Sequence, residues 1–110
     1  MKVLITGGAG YLGSILTGVL LDNQYKVTVV DNLIYKQLSL IDYCYNENFT
    51  FIKGDVRNLD QLVNVKDYDI IIPLAAIVGM PACDDNKIAA TQINYDQIDN
   101  LVKNTSKDQQ

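Results

Sequence analysis

The sequence contains no histidine, and its two cysteines, Cys44 and Cys83, form no C-x-x-C pattern. The usual donor sets of a zinc site are therefore absent, and both thiols are expected to be buried or half-buried in a reducing cytoplasm. Basic residues are scarce. Nine Lys and Arg stand against 13 Asp and Glu, for a net charge of -4. That balance repels the phosphate backbone of a nucleic acid. It does not oppose a ligand whose phosphates are held by backbone N–H groups. No run approaches the ~20 apolar residues of a membrane span, and the opening Met1–Ile5 gives way to Thr6-Gly7-Gly8, too short for a secretory h-region. At 110 residues, 48% hydrophobic and 20% charged, the chain reads as one small soluble domain.

Four short apolar or β-branched runs stand out: Val3-Leu4-Ile5, Val27–Val30, Phe49–Ile52 and Ile70-Ile71-Ile72, the last stopped by Pro73. Each reads as a strand, the first and the last apolar enough to be buried on both faces. Between the first two, Leu12, Ile15, Leu16, Val19 and Leu20 recur at helical spacing. This predicts a helix over 11–22 that buries those side chains, with Asn23 as its left-handed cap. A weaker helix is expected between Tyr35 and Tyr45. A short one follows from Leu59 to Val65, with Asn58 as cap, and a long one from Asp84 to Lys103. The polar end from Lys103 to Gln110 is expected to fray. Alternating strands and helices imply right-handed crossovers and a doubly wound parallel α/β sheet of order 3-2-1-4. A ligand would sit beyond the carboxyl ends of strands 1 and 4, where the order reverses.

Thr6-Gly7-Gly8-Ala9-Gly10-Tyr11-Leu12-Gly13 falls at that place, between the first strand and its helix. Gly7 permits the tight exit from the strand. Gly10 lets backbone approach a diphosphate, and Gly13 lets the helix pack closely on the sheet. The helix start then aims free N–H groups and its positive dipole end at the phosphates. No Gly-Lys-Ser or Gly-Lys-Thr follows, which excludes a Walker-type loop. Asp31 closes the second strand about 20 residues on, where a carboxylate accepts from adenosine ribose hydroxyls. No Lys or Arg occupies positions 32 to 34 to receive an extra phosphate, which favours NAD over NADP; Lys36 lies just beyond.

With these residues in view, the chain resembles the extended short-chain dehydrogenase/reductase family, the NAD-dependent epimerases and dehydratases of nucleotide sugars. The matching stretches are the glycine turn, Asp31-Asn32, Gly54-Asp55-Val56-Arg57, Leu74-Ala75-Ala76 and Asn94. The resemblance covers the cofactor-binding half of a Rossmann-type enzyme. It implies cofactor contacts from Gly7, Gly10, Tyr11, Leu12, Gly13, Asp31 and Asn32. It further implies that Asp55 and Val56 meet the adenine, that Leu74, Ala75 and Ala76 line the dinucleotide, and that Asn94 supports the site from the last helix. On the residues alone, Asp55 also reads as a loop Asp capping the next helix, and Asn94 as a satisfied core amide. Pro73 stands where the family often has His. The family's catalytic Tyr-x-x-x-Lys pair occurs nowhere in the chain, so no catalytic residue is assigned.

Residues 1–110 are therefore expected to form an incomplete NAD-binding domain without the catalytic and substrate-binding part. Its strand 4 would be an exposed edge open to self-association. Two functional readings remain: the cofactor half of a cytoplasmic nucleotide-sugar epimerase or dehydratase, or a stand-alone non-catalytic NAD-binding module. Met80–Cys83 reads only as a loop. On either reading Asp31→Ala weakens NAD binding by about 1–3 kcal/mol; unchanged affinity by titration calorimetry would refute the assignment of Asp31.

Overall fold

The computed structural model describes residues 1–76 and 87–110. Strands β1 (Lys2–Thr6), β2 (Lys26–Asp31), β3 (Phe49–Lys53) and β4 (Ile70–Pro73) form one parallel sheet in the order β3-β2-β1-β4, as the sequence implies. Side chains alternate between two apolar layers. Val3, Ile5, Val27 and Val29 enter one, while Leu4 and Val30 enter the other. Val3, Leu4 and Ile5 have no exposed surface. A strand covered on both faces needs no polar residue, which explains the unbroken apolar run.

Helix α1 (Tyr11–Asp22) has the expected bounds, and of the expected apolar set Leu16 and Leu20 pack against the core, but the centre of the inward face lies elsewhere. Gly13, Thr17 and Leu21 are buried, while Leu12, Ile15 and Val19 are 63%, 50% and 52% exposed. The cause is close approach. A Cβ on Gly13 would lie 2.6 Å from Gly8 Cα, so helix backbone sits on turn backbone and only small side chains fit beneath it. At the far end Asn23 has φ -95°. The left-handed residue is Gln24 instead, with φ 65°.

The predicted helix between Tyr35 and Tyr45 shrinks to a 3-10 turn, Ile41–Tyr43. Successive side-chain turns compete with helix here: Asp31 Oδ1 accepts from Leu33 N–H and Asn32 Oδ1 from Ile34 N–H. Leu33 and Lys36 are both left-handed, with φ 55° and 54°. Cys44 lies in this region and is exposed, contrary to expectation; Cys83, with the rest of Met80–Cys83, falls outside the described residues. Helix α2 is only Leu59–Leu62, and Asn58 supplies no side-chain cap. The cap is one turn earlier, where Asp55 accepts from Arg57 N–H at the 3-10 turn Val56–Asn58. The last helical segment comprises α3 (Lys87–Thr91), a π turn (Gln92–Asp96) and α4 (Gln97–Asn104).

The chain's final residues dock instead of fraying. Gln109 Nε2 donates to the Val65 and Tyr68 carbonyls at 2.7 and 2.6 Å. Gln110 N–H donates to Asp69 O, and Ile71 N–H donates to Gln110 O. The β4 edge is thus met at Ile71 by its own chain. Pro73 belongs to this edge strand, where a missing donor is tolerated. Among the described residues no helix is long and apolar enough to cross a membrane, and none form a cluster able to hold a metal ion.

Gln97 faces the core at 6% exposure, with neither amide atom hydrogen-bonded. An unpaired buried amide opposes folding. Gln97→Leu is therefore expected to raise the free energy of unfolding by about 1–2 kcal/mol in urea titration; a loss of stability would show that the amide is satisfied in solution.

Candidate functional site

The carboxyl ends of the four strands meet at the glycine turn. Gly7 N–H donates to Val30 O and Leu74 N–H to Thr6 O, both at 2.8 Å, and Gly54 N–H donates to Asp31 O at 3.1 Å. Gly7 is left-handed at φ 72°, and a Cβ there would sit 2.5 Å from Ala75 N. Gly7 is therefore required twice, by conformation and by space. A Cβ on Gly8 would strike Val29. Gly10 differs: it has φ -71°, and a Cβ there would meet nothing closer than Gly7 O at 3.5 Å. Nothing among the described residues requires a glycine at this position. Gly10 is also the α1 N-cap, with no side-chain cap and no acidic residue in the first turn. Among the described residues the first N–H groups and the positive dipole end of α1 have no side-chain counterpart.

Asp31 fixes this turn. It is 8% exposed; its Oδ2 accepts from Ala9 N–H at 2.9 Å and its Oδ1 from Leu33 N–H at 2.8 Å. Ser39 Oγ donates to the Ala9 carbonyl from the other side. One carboxylate thereby joins the glycine turn to the exit of β2.

A cleft of about 310 Å³ opens over these strand ends. Gly7, Gly10 and Tyr11 form its floor near α1. Asp31 and Asn32 enter from β2, Val56 from β3, and Leu74, Ala75 and Ala76 from β4. Ile34, Tyr35, Gln37, Gly54 and Ile93 complete the lining, and sequence reasoning missed all five. The signal for the first three was the Asp31-Asn32 pair, whose side-chain turns fold the following residues back over the cleft.

Four residues named from the sequence lie elsewhere. Leu12 is largely exposed, and Gly13 packs on Gly8. Asn94 is exposed rather than a core amide, and its neighbour Ile93 reaches the cleft. Asp55 also lies outside the lining. Its carboxylate forms a two-pronged ion pair with Arg57, and Arg57 Nη1 donates to Gln92 Oε1 at 2.9 Å. The alternative reading of Asp55 as a cap is thus the one its contacts match. The network straps the β3 exit to the π turn that carries Ile93. Hydrogen bonding to the Arg57 side chain holds the Asp55 carboxyl below its ordinary value, against a smaller opposing effect of burial.

A parallel sheet whose first strand turns through glycines into an uncapped helix, beneath a cleft at the switch point, defines a dinucleotide-binding α/β domain. Residues 3–109 match the model of the NAD dependent epimerase/dehydratase family, and the chain belongs to that family. It is 33% identical over 110 residues to a UDP-glucose 4-epimerase of Klebsiella pneumoniae, covering 97% of this chain and 76% of that one. It is also 33% identical over 105 residues to a UDP-N-acetyl-alpha-D-glucosaminuronate decarboxylase of Bacillus cytotoxicus, covering 93% of this chain and 32% of the relative. Among solved structures, the UDP-glucuronic acid 4-epimerase of Bacillus cereus, in complex with UDP-glucuronic acid and NAD, superposes with a TM-score of 0.80 at 29% identity. That match covers 94% of this chain and 35% of the other. Apart from the Klebsiella protein, the chain spans about a third or less of the length of these relatives. The site's chemistry fits the family's cofactor: open space at Gly10 and unpaired helix N–H groups suit a diphosphate, and the apolar lining suits flat rings.

Because Asp55 is held in its charged form, its contribution to stability is present above the unfolded-state value near pH 4 and is lost as pH falls through the lower folded-state value. Asp55→Asn is expected to lower stability by about 1 kcal/mol at pH 7, and the gap to the parent chain should close by about pH 2. A gap independent of pH in urea titrations would assign the effect to shape rather than charge.

Proposed function

We propose that this chain is the NAD-binding part of a nucleotide-sugar epimerase or dehydratase. The observation that carries the reading is Gly10, a glycine in an ordinary backbone conformation whose missing side chain faces open space beside free helix N–H groups. Its smallness is explained by something outside the protein, and a diphosphate matches the charge of the helix end. On this reading the first-turn amides of α1 hold the diphosphate, and Asp31 orders both the turn and the ribose. Val56 packs on the base, and Leu74, Ala75 and Ala76 let the dinucleotide lie against backbone. Bound NAD supplies a hydride acceptor for a sugar carbon. The groups that would move the sugar's proton are not in this sequence, which has no Tyr-x-x-x-Lys. A nucleotide-sugar substrate is engaged only where those groups are supplied.

The same site geometry also serves a second reading, a non-catalytic NAD-binding module. The remaining β4 edge beyond Ile71 offers either form a place to pair with another copy. On both readings we take the protein to work in the cytoplasm, in keeping with thiols that form no C-x-x-C pair.

The test is titration calorimetry of the purified chain with NAD, alongside Gly10→Val. The substitution should cost about 1 kcal/mol of folding stability at the N-cap and at least about 3 kcal/mol of NAD affinity, because the branched side chain fills the phosphate space. Full NAD affinity in a folded Gly10→Val protein would refute the placement.

A further inference from the structure

The 3-10 turn Val56–Asn58 and the π turn Gln92–Asp96 each bury one side chain, Val56 and Ile93, both 7% exposed. Both line the cleft, and both belong to one apolar cluster. The two turns come from distant parts of the chain, and neither has the bonding of a regular α-helix to hold it in place. A second hollow of about 270 Å³ also meets Val56, lined further by Arg57, Val63, Val65 and, from α4, Leu101. Val56 thus stands between two hollows and has room to withdraw from the cleft.

The residues next to this pair are tied together. Asp55 and Arg57 flank Val56, and Gln92 precedes Ile93. Arg57 Nε donates to both Asp55 carboxylate oxygens at 2.9 Å, Nη2 donates to Oδ2, and Nη1 donates to Gln92 Oε1 at 2.9 Å. A planar guanidinium fixes direction as well as charge, which an ammonium does not. The Arg57 side chain is 40% exposed, so solvent screens the pair and its contribution to folding is modest. What the bridge does fix is the separation of the two turns, beside the side chains they send to the cleft.

We infer that Arg57 is a positioning residue for the cofactor: by bridging Asp55 and Gln92 it holds Val56 and Ile93 forward as one apolar wall for a flat ring of the dinucleotide. This rests on the reading of the cleft as an NAD site. Arg57 is absent from the cleft lining, so it acts only through those two side chains. When the arm to Gln92 is lost, the Asp55–Arg57 pair survives and the fold persists. Val56 is then free to recede toward the second hollow, and the ring loses apolar contact on that side.

The experiment is calorimetric titration of the full chain with NAD and AMP, with urea midpoints recorded. It compares the parent with Gln92→Met, Gln92→Asn, Gln92→Glu, Arg57→Met and the double variant Arg57→Met/Gln92→Met. Gln92→Met should weaken NAD about fivefold at an unchanged midpoint; a merely structural bond would move the midpoint instead. Gln92→Asn, whose amide falls one methylene short of Arg57, should lose as much. Gln92→Glu keeps an acceptor in reach and should stay within about twofold of the parent. Arg57→Met should weaken NAD about tenfold, and adding Gln92→Met to it should cost nothing more, since both break one bridge. NAD affinity equal to the parent's in Gln92→Met and Gln92→Asn would overturn the inference and leave the NAD site standing, as would losses that multiply in the double variant. Should Gln92→Met prove unstable, the Asn and Glu variants decide by the same criteria. A parent chain that is folded yet binds neither NAD nor AMP would overturn the cofactor reading and this inference together.

Discussion

The contact on which the rest of this structure depends is backbone against backbone at the end of β1. Gly7 lies against the Ala75 amide, and Gly8 lies against Gly13 of α1. No side chain intervenes at either place. That closeness sets the pitch of α1 over the sheet, and with it the choice of Gly13 and Thr17 as the buried face. It also draws the β4 exit up to the glycine turn, so that Leu74, Ala75 and Ala76 wall the same cleft as the helix start. Widening the contact by one methyl group at Gly7 would require backbone to move, and every element placed by the turn would move with it.

A second layer of control comes from side chains that stand in for missing secondary structure. The stretch between β2 and β3 has little regular hydrogen bonding of its own. Asp31, Asn32 and Ser39 supply it, bonding to backbone of their own loop and of the glycine turn. On the opposite wall Arg57 plays a similar part, reaching from the Asp55 turn to Gln92. The cleft is thus bounded by two loops that are individually irregular and jointly well determined.

The sheet order and the place of the cleft were legible in the sequence because both follow from strong local signals. Four apolar runs separated by helical stretches leave few topologies, and three spaced glycines between a strand and a helix mark a close approach of backbone to a ligand. Burial of α1 was legible only in part. The apolar periodicity of Leu12, Ile15, Leu16, Val19 and Leu20 pointed to one face, of which Leu16 and Leu20 pack inward; the inter-backbone distance that turns the others outward is a tertiary quantity. The residues Ile34, Tyr35 and Gln37 were missed for a related reason. Their presence in the cleft depends on two left-handed residues, Leu33 and Lys36, neither of which is a type that signals such a conformation. Asp55 and Asn94 have surroundings that their residue types did not foretell. The residue types match the family, while in this chain Asp55 is held by Arg57 and Asn94 is exposed next to the lining residue Ile93.

Pro73 has a consequence for the open side of the sheet. Leu74 N–H turns inward to Thr6 O, so Pro73 is directed outward, two residues after the Ile71 N–H that meets Gln110. Along that margin the Ile71 N–H is already taken by Gln110 O, and Pro73 offers a carbonyl alone. A strand laid parallel to β4 would find neither position able to donate. That shortage of donors makes indefinite stacking of identical edges unfavourable.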